Sequence, residues 1–362
     1  MYAIRPPRAV TTPRRRRTLV LWVLMTTACT LGWSGPGAAV AAQRVDVVEA
    51  IQAEASQALL AEDFARLERL AAAYAQHEAR TPDGLSKLAC FYDGLASRFP
   101  PGADRGTSGF RDLVVRADGW KTRLPKSPTA KIAYGLMVGR YLLYAQQYPP
   151  PEPAQNALVA FDAEDMTAQA QRLLREAKAS AASDPNWFRA MLILSFVAHE
   201  PQSVRDALLQ EANTRWPTFY ENDFASILTM VLPDDDSALP MKLERATQAA
   251  VRRTRKHDGQ SAYARMYWYV ADSYTQTGVF ALTDASWTEM KRGFVDLVAK
   301  YPDSRNISAF ARFACLARDR RVARKLFERF GDIIDIVVWR SDLVANECRT
   351  WAQRDAQVEG IL

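Results

Sequence analysis

The sequence predicts an all-α fold, a right-handed α-α superhelix in the form of a degenerate tetratricopeptide-like solenoid of about 13 helices. Three observations carry this expectation. The stretch Trp287 to Gly331 reads as three consecutive short helices. Ala, Leu, Arg, Glu and Gln, all good helix formers, recur along the whole chain, and no run of alternating β-branched residues competes with them. A helix-turn-helix rhythm returns at intervals of roughly 30 to 40 residues, near the tetratricopeptide period.

The three helices at 287–331 show the reasoning best. Trp287, Met290, Phe294, Leu297, Val298 and Tyr301 fall on one face of an α-helix. Pro302 forbids continuation, and Asp303 or Ser304 can cap the next helix. Ile307, Phe310, Ala311 and Ala314 make a second face. Val322, Leu326, Phe327 and Phe330 make a third, which Gly331 closes with a left-handed residue.

The N-terminus reads as a targeting segment. Arg5, Arg8 and Arg14 to Arg17 form a basic region, followed by an apolar run from Thr18 to Trp33 and a break at Gly35-Pro36-Gly37. Ala39-Val40-Ala41 fits a signal-peptidase site, as does Val40-Ala41-Ala42, so cleavage between Ala42 and Gln43 is expected. The apolar run is shorter than the ~20 residues that span a bilayer. A retained anchor is the rival reading. Arg16-Arg17 is a poor twin-arginine match, and Cys29 lacks the upstream leucine of a lipoprotein signal. A periplasmic or secreted protein follows from this reading.

Of 47 Lys and Arg against 41 Asp and Glu, six arginines leave with residues 1–42 and no acid does. The mature chain is formally neutral. It lacks the basic footprint of a nucleic-acid binder. Three cysteines remain, Cys90, Cys315 and Cys348. An oxidising compartment would allow Cys315 and Cys348, on neighbouring helices, to pair; three buried thiols are the alternative.

Residues 43–147 read as an N-terminal region of helical hairpins. Helix Gln43 to Ala61 and the helix opened by Glu62-Asp63 are joined by a short turn, and Thr81-Pro82-Asp83-Gly84 is a turn before a helix over Leu85 to Phe99. Residues 100–127 read as a long, packed but irregular connection with a short helix near Phe110 to Arg116. Ser127-Pro128 starts the next helix. The prolines at 148–153 form a stiff linker. A helical-repeat region covers 154–354, with helices expected at about 163–182, 186–198, 201–215, 217–231, 241–256, 261–277, 286–300, 305–317, 319–330 and 341–353, and a tail at 355–362. Ile333 to Trp339 is the one β-like segment.

Catalytic and cofactor signatures are missing. His77, His199 and His257 sit in no zinc frame. There is no nucleophile elbow, Walker loop or dinucleotide fingerprint. Gly106-Thr107-Ser108-Gly109 is a plain turn. Asp234-Asp235-Asp236-Ser237 lacks the spacing and glutamate of a calcium loop. No cofactor or metal is expected.

Aromatic residues are the feature left to explain. In SAYARMYWYVADSYTQ (Ser261 to Gln276) the rings run most of the way round the helix, which fits a central, buried element. The functional alternative puts Arg265, Trp268 and Tyr269, with Trp187, Trp216 and Tyr220, along a groove for a peptide or glycan. Arg252 to Lys256 at a helix end complement the helix dipole. The leading expectation is a non-enzymatic scaffold that binds a protein or peptide in the cell envelope. An envelope hydrolase using Asp or Glu in an aromatic cleft is the second, and self-assembly through the ends of the array the third.

Tyr263-Ala264-Arg265-Met266-Tyr267-Trp268-Tyr269, then Trp287, Met290-Lys291, Gly293-Phe294, Tyr301-Pro302-Asp303 and Phe310 to Cys315, together resemble the bacterial domain-of-unknown-function family 4034. Phe64, Leu67, Tyr74, Thr81 to Gly84, Lys87-Leu88 and Phe91-Tyr92 extend the likeness, which spans roughly residues 55 to 350. The resemblance implies a helical, tetratricopeptide-like protein and supplies no catalytic residues. Three aspartates replace the Trp-Gly element expected after Pro233, where the chain departs from the family.

Overall fold

The computed structural model describes residues 46–76, 79–99, 107–148, 163–232, 237–330 and 335–354. The leader and its cleavage site, the prolines at 149–153, the aspartates at 234–236 and the tail from 355 lie outside the described residues. The protein is all-α. Among the described residues there are 18 helices and no β-strands, rather than about 13 helices. One-turn helices at Lys178–Ala181, Val279–Leu282 and Ile336–Trp339 account for part of the difference.

The first core is built by α1 (Val47–Leu60), α2 (Phe64–Ala75), α3 (Lys87–Gly94), α4 (Thr107–Arg123), α5 (Pro128–Gln147), α6 (Ala163–Glu176), α7 (Lys178–Ala181), α8 (Asn186–Val197) and α9 (Gln202–Arg215). The second is built mainly by α10 (Tyr220–Val231), α11 (Leu239–Asp258), α12 (Ser261–Val270), α13 (Val279–Leu282), α14 (Trp287–Lys300), α15 (Ser304–Leu316), α16 (Arg320–Phe330), α17 (Ile336–Trp339) and α18 (Asp342–Gln353). Helices pack mostly on near neighbours in sequence, α4 on α5, α5 on α6 and α8, α11 on α12, α12 on α14 and α15 on α16.

Local chemistry explains the boundaries. Asp46, Asp63, Ser86, Ser127, Ser286, Asp303 and Ser341 each cap a helix through a side-chain oxygen that accepts a backbone N–H. Such caps contribute about 1 kcal/mol apiece. The aromatic helix stops being regular after Val270. Ala271–Thr275 is a π-turn, and its Asp272 accepts from Trp268 Nε1 at 2.8 Å, Arg312 Nη1 at 2.7 Å and Arg340 Nη2 at 3.1 Å.

Two expectations are corrected. The irregular connection at 100–127 contains a 17-residue helix, α4. Phe110, Leu113, Val114, Ala117 and Trp120 recur at helical spacing and are all buried, and burying Trp120 outweighs the ~1 kcal/mol that Gly119 costs in a helix interior. The described part of the β-like segment, Ile336–Trp339, is helical; it has no strand to pair with, and Val338 and Trp339 bury against the second core. Helices on both sides of the proline run belong to the first core, α5 before it packing on α6 and α8 after it. The division falls near Trp216 to Tyr220.

The halves meet through a turn. Arg80 and Ser86 form an isolated antiparallel bridge, and the tip between them, Thr81-Pro82-Asp83-Gly84, inserts into the second half. Asp83 O accepts from Arg265 Nη2 at 2.6 Å and Asn306 Nδ2 at 3.1 Å. The Asp83 carboxylate lies 3.5 Å from Arg305 Nε, and Arg305 also pairs with Asp46 at 3.1 Å. Gly84 has φ +85°, where glycine is favoured.

Candidate functional site

A cavity of about 250 Å³ opens beside this turn. Its walls come from Tyr74 and Glu68 on α2, Arg80 and Ser86 on the bridged turn, Thr129 on α5, Asp184 before α8, and Trp216, Thr218 and Phe219 in the link between the cores. It is therefore bounded by first-core helices together with the turn and the link that lead to the second core.

Glu68, Asp184 and Arg80 in the cavity are each oriented by the protein. Glu68 Oε1 accepts from Trp120 Nε1 at 3.0 Å and from Ser127 Oγ at 2.5 Å. Asp184 accepts from Tyr92 Oη at 2.8 Å and from Asn186 through its backbone N–H at 2.8 Å and its side-chain amide at 3.0 Å. Burial raises the Asp184 carboxyl above its ordinary value, and these hydrogen bonds only partly counter that. Burial and the adjoining Asp184 also raise the Tyr92 phenol well above its ordinary value. Arg80 donates to Thr218 O at 3.0 Å, Thr218 Oγ1 at 3.1 Å and Gly84 O at 3.3 Å. The indole N–H of Trp216 is buried and finds no acceptor among the described residues.

The aromatic and cationic candidates do not come together. Trp216 alone among them lines the cavity. Trp187 is buried, donating to Leu174 O at 2.9 Å. Tyr220 is buried and donates to Asp258. Arg265 is buried, with its guanidinium 5.5 Å from the Tyr220 ring and 5.7 Å from that of Tyr301. These three are core and junction residues, not groove residues, because each has its polar atom engaged inside the fold. Trp268 is half-buried and bonded to Asp272. Tyr269 is half-buried, stacked on Phe224 at 4.7 Å, and burial pushes its phenol up to about 12. Cys315 on α15 and Cys348 on α18 are joined as a disulfide, Cα to Cα 6.1 Å, while Cys90 is a buried free thiol.

Glu68, Tyr74, Arg80, Asp184 and Phe219 are absent from the sequence candidates. Asp184-Pro185 carries only the signal of a helix start, and Glu68 only that of a helix interior. Nothing in the order of residues pairs positions 68 and 184.

Asp93 and Glu221 each sit among charged neighbours, Asp93 partly exposed and Glu221 buried. Asp93 faces Arg140 and Arg189, the latter at 2.5 Å. Glu221 accepts from Ser86 N at 3.0 Å. Burial pushes the Glu221 carboxyl up, and Arg80 and Arg189 pull it partly back. Among the described residues no group of three or more His, Cys, Asp or Glu is placed to hold a metal ion, and no helix is long and apolar enough to cross a membrane. Compared with known proteins, the chain matches no family model, no curated protein and no solved structure.

Proposed function

We propose that this is an exported, non-enzymatic helical-repeat protein of the cell envelope that binds a protein or peptide partner, with the cavity beside Trp216 as its recognition site. One observation carries the reading. The cavity has three aromatic walls, Tyr74, Trp216 and Phe219, and every carboxylate lining it is already fixed by hydrogen bonds from the fold. Groups held in this way shape a surface, and binding sites pair apolar walls with a few oriented polar groups. The basic leader and apolar run support export, the helix rhythm supports winding into a superhelix, and the residues quoted above support kinship with domain-of-unknown-function family 4034.

A tryptophan-fluorescence titration of the mature protein with mixed short peptides tests this. The expected result is saturable binding that Trp216→Ala abolishes while leaving helicity intact. Peptides that bind equally well to Trp216→Ala would sink it. N-terminal sequencing of the exported chain should begin at Gln43; a chain that retains Met1 would overturn the export reading.

The hydrolase reading draws on Glu68 and Asp184 lining one cavity, with Asp184 raised by burial as a general acid requires. Release of sugars or muropeptides from purified peptidoglycan by the mature protein, lost in Asp184→Asn, would replace the scaffold proposal.

A further inference from the structure

We infer that the cavity beside Trp216 is a receptor for a cationic side chain, the ammonium or guanidinium group of a Lys- or Arg-bearing peptide seated between Glu68 and Asp184 against the aromatic walls. This deepens the binding reading above and rests on it.

The argument starts from charge compensation. The carboxylates of Asp83, Asp93, Asp223, Asp258 and Asp272 each lie in an ion pair with a Lys or Arg. These five acids are thus each compensated by a cation, and buried Glu221, which has no ion pair among the described residues, accepts from Ser86 N and feels Arg80 and Arg189. Glu68 and Asp184 are different. Their partners are an indole, a hydroxyl, a phenol and an asparagine, all neutral, and among the described residues neither enters an ion pair. Among the described residues Arg80 is the one Lys or Arg lining the cavity. It directs its N–H groups to Thr218 and Gly84, and its charge is felt by Glu221. Two carboxylates thus line one cavity without a cation of their own; burial disfavours the charged form of Asp184, and a bound cation relieves that.

The walls suit the same ligand. Tyr74, Trp216 and Phe219 present rings, and aromatic faces attract ammonium and guanidinium groups. The cavity, at about 250 Å³, is below the ~300–1,000 Å³ of whole-ligand pockets. That size fits one side chain of a larger partner. The unused N–H of Trp216 is a donor left for a peptide carbonyl beside the charged group, since a buried donor without an acceptor costs free energy.

The test is calorimetric titration of the full mature protein with three peptides of one frame, Ac-Gly-Lys-Gly-NH2 and its norleucine and glutamate counterparts. The lysine peptide should bind at least about tenfold more tightly than either counterpart. Glu68→Gln keeps one oxygen for Trp120 and Ser127, and Asp184→Asn keeps one for Asn186 while the Tyr92 hydroxyl turns to accept from the new amide; both remove the charge. Each should erase most of that preference, with helicity and melting midpoint checked for both. Equal affinity for the norleucine or glutamate peptide overturns the cation assignment and leaves peptide binding standing. Absence of binding by all three peptides overturns both. The wild-type peptide series decides the matter even if a variant fails to fold.

Discussion

Gly84→Ala is the most informative perturbation of this fold. Gly84 sits at φ +85°, a backbone region that costs an L-residue about 1–2 kcal/mol. A methyl group there would lie 2.5 Å from Arg265 Nη2 and 2.7 Å from Tyr301 Cδ2. Both neighbours are committed. The same Arg265 nitrogen donates to Asp83 O at 2.6 Å, a charged hydrogen bond of the kind that contributes about 1.5–3 kcal/mol. Displacing Arg265 forfeits that bond and disturbs its packing on Tyr220. The expected loss is about 3–5 kcal/mol, a large part of a typical total stability of 5–15 kcal/mol. Urea unfolding of the mature protein, followed by circular dichroism, measures it. Because the turn also carries Arg80 and Ser86 into the cavity, the variant should weaken ligand binding under conditions where it remains folded. A loss below about 1 kcal/mol would refute the claim that this turn locks the halves together, since strain alone accounts for that much. Arg265→Lys supplies the control: the longer reach of the guanidinium is lost, so Gly84→Ala should cost less in that background.

Three further outcomes follow from particular contacts. Thiol titration of the unfolded, unreduced mature protein should find one reactive thiol, Cys90, and three after reduction, because Cys315 and Cys348 are joined; three thiols without reductant would exclude the bond. Asp93→Asn should cost about 2–3 kcal/mol in urea unfolding, less than the 3–5 kcal/mol of a fully buried broken pair because the Asp93 side chain is 32% exposed. Burial pushes the Asp93 carboxyl up, but Arg189 and Arg140 more than offset this and hold it below its ordinary value. Its contribution is therefore present above the unfolded carboxylate pKa and is lost as pH falls through the folded one, so the gap between wild type and Asp93→Asn should narrow in acid. Glu221 has the opposite sign. Its carboxyl is raised, first by burial, so its contribution is present below the unfolded value and is lost as pH rises through the folded one. Melting midpoints of Glu221→Gln relative to wild type should accordingly rise with pH across that interval; a difference constant with pH would contradict it.

The sequence by itself determined the elements. Apolar residues at helical spacing, caps such as Ser127 before Pro128 and Asp303 after Pro302, and the absence of strand-forming runs were enough to specify an all-α chain and most helix boundaries, because these are interactions between residues a few positions apart. Where sequence reading fell short, a distant partner outweighed a local signal. Gly119 and the glycines before it read as an irregular connection, yet Trp120 is buried with its N–H on Glu68, and the helix continues to Arg123. The aromatic helix was legible as central, but its π-turn at Asp272 depends on Arg312 and Arg340, 40 and 68 residues away.

Which residues make a site was a matter for the tertiary structure alone. Arg265 and Tyr220 carry the same side-chain chemistry whether they line a groove or lock a junction, and only their burial against Asp83 and Asp258 separates the two roles. Glu68, Asp184 and Trp216 share no spacing, motif or element. They meet at the cavity wall, where α2, the start of α8 and the link between the cores come together. The order of residues does not show that meeting, because these side chains are held by partners far along the chain: Glu68 by Trp120 and Ser127, 52 and 59 residues away, and Asp184 by Tyr92, 92 residues away.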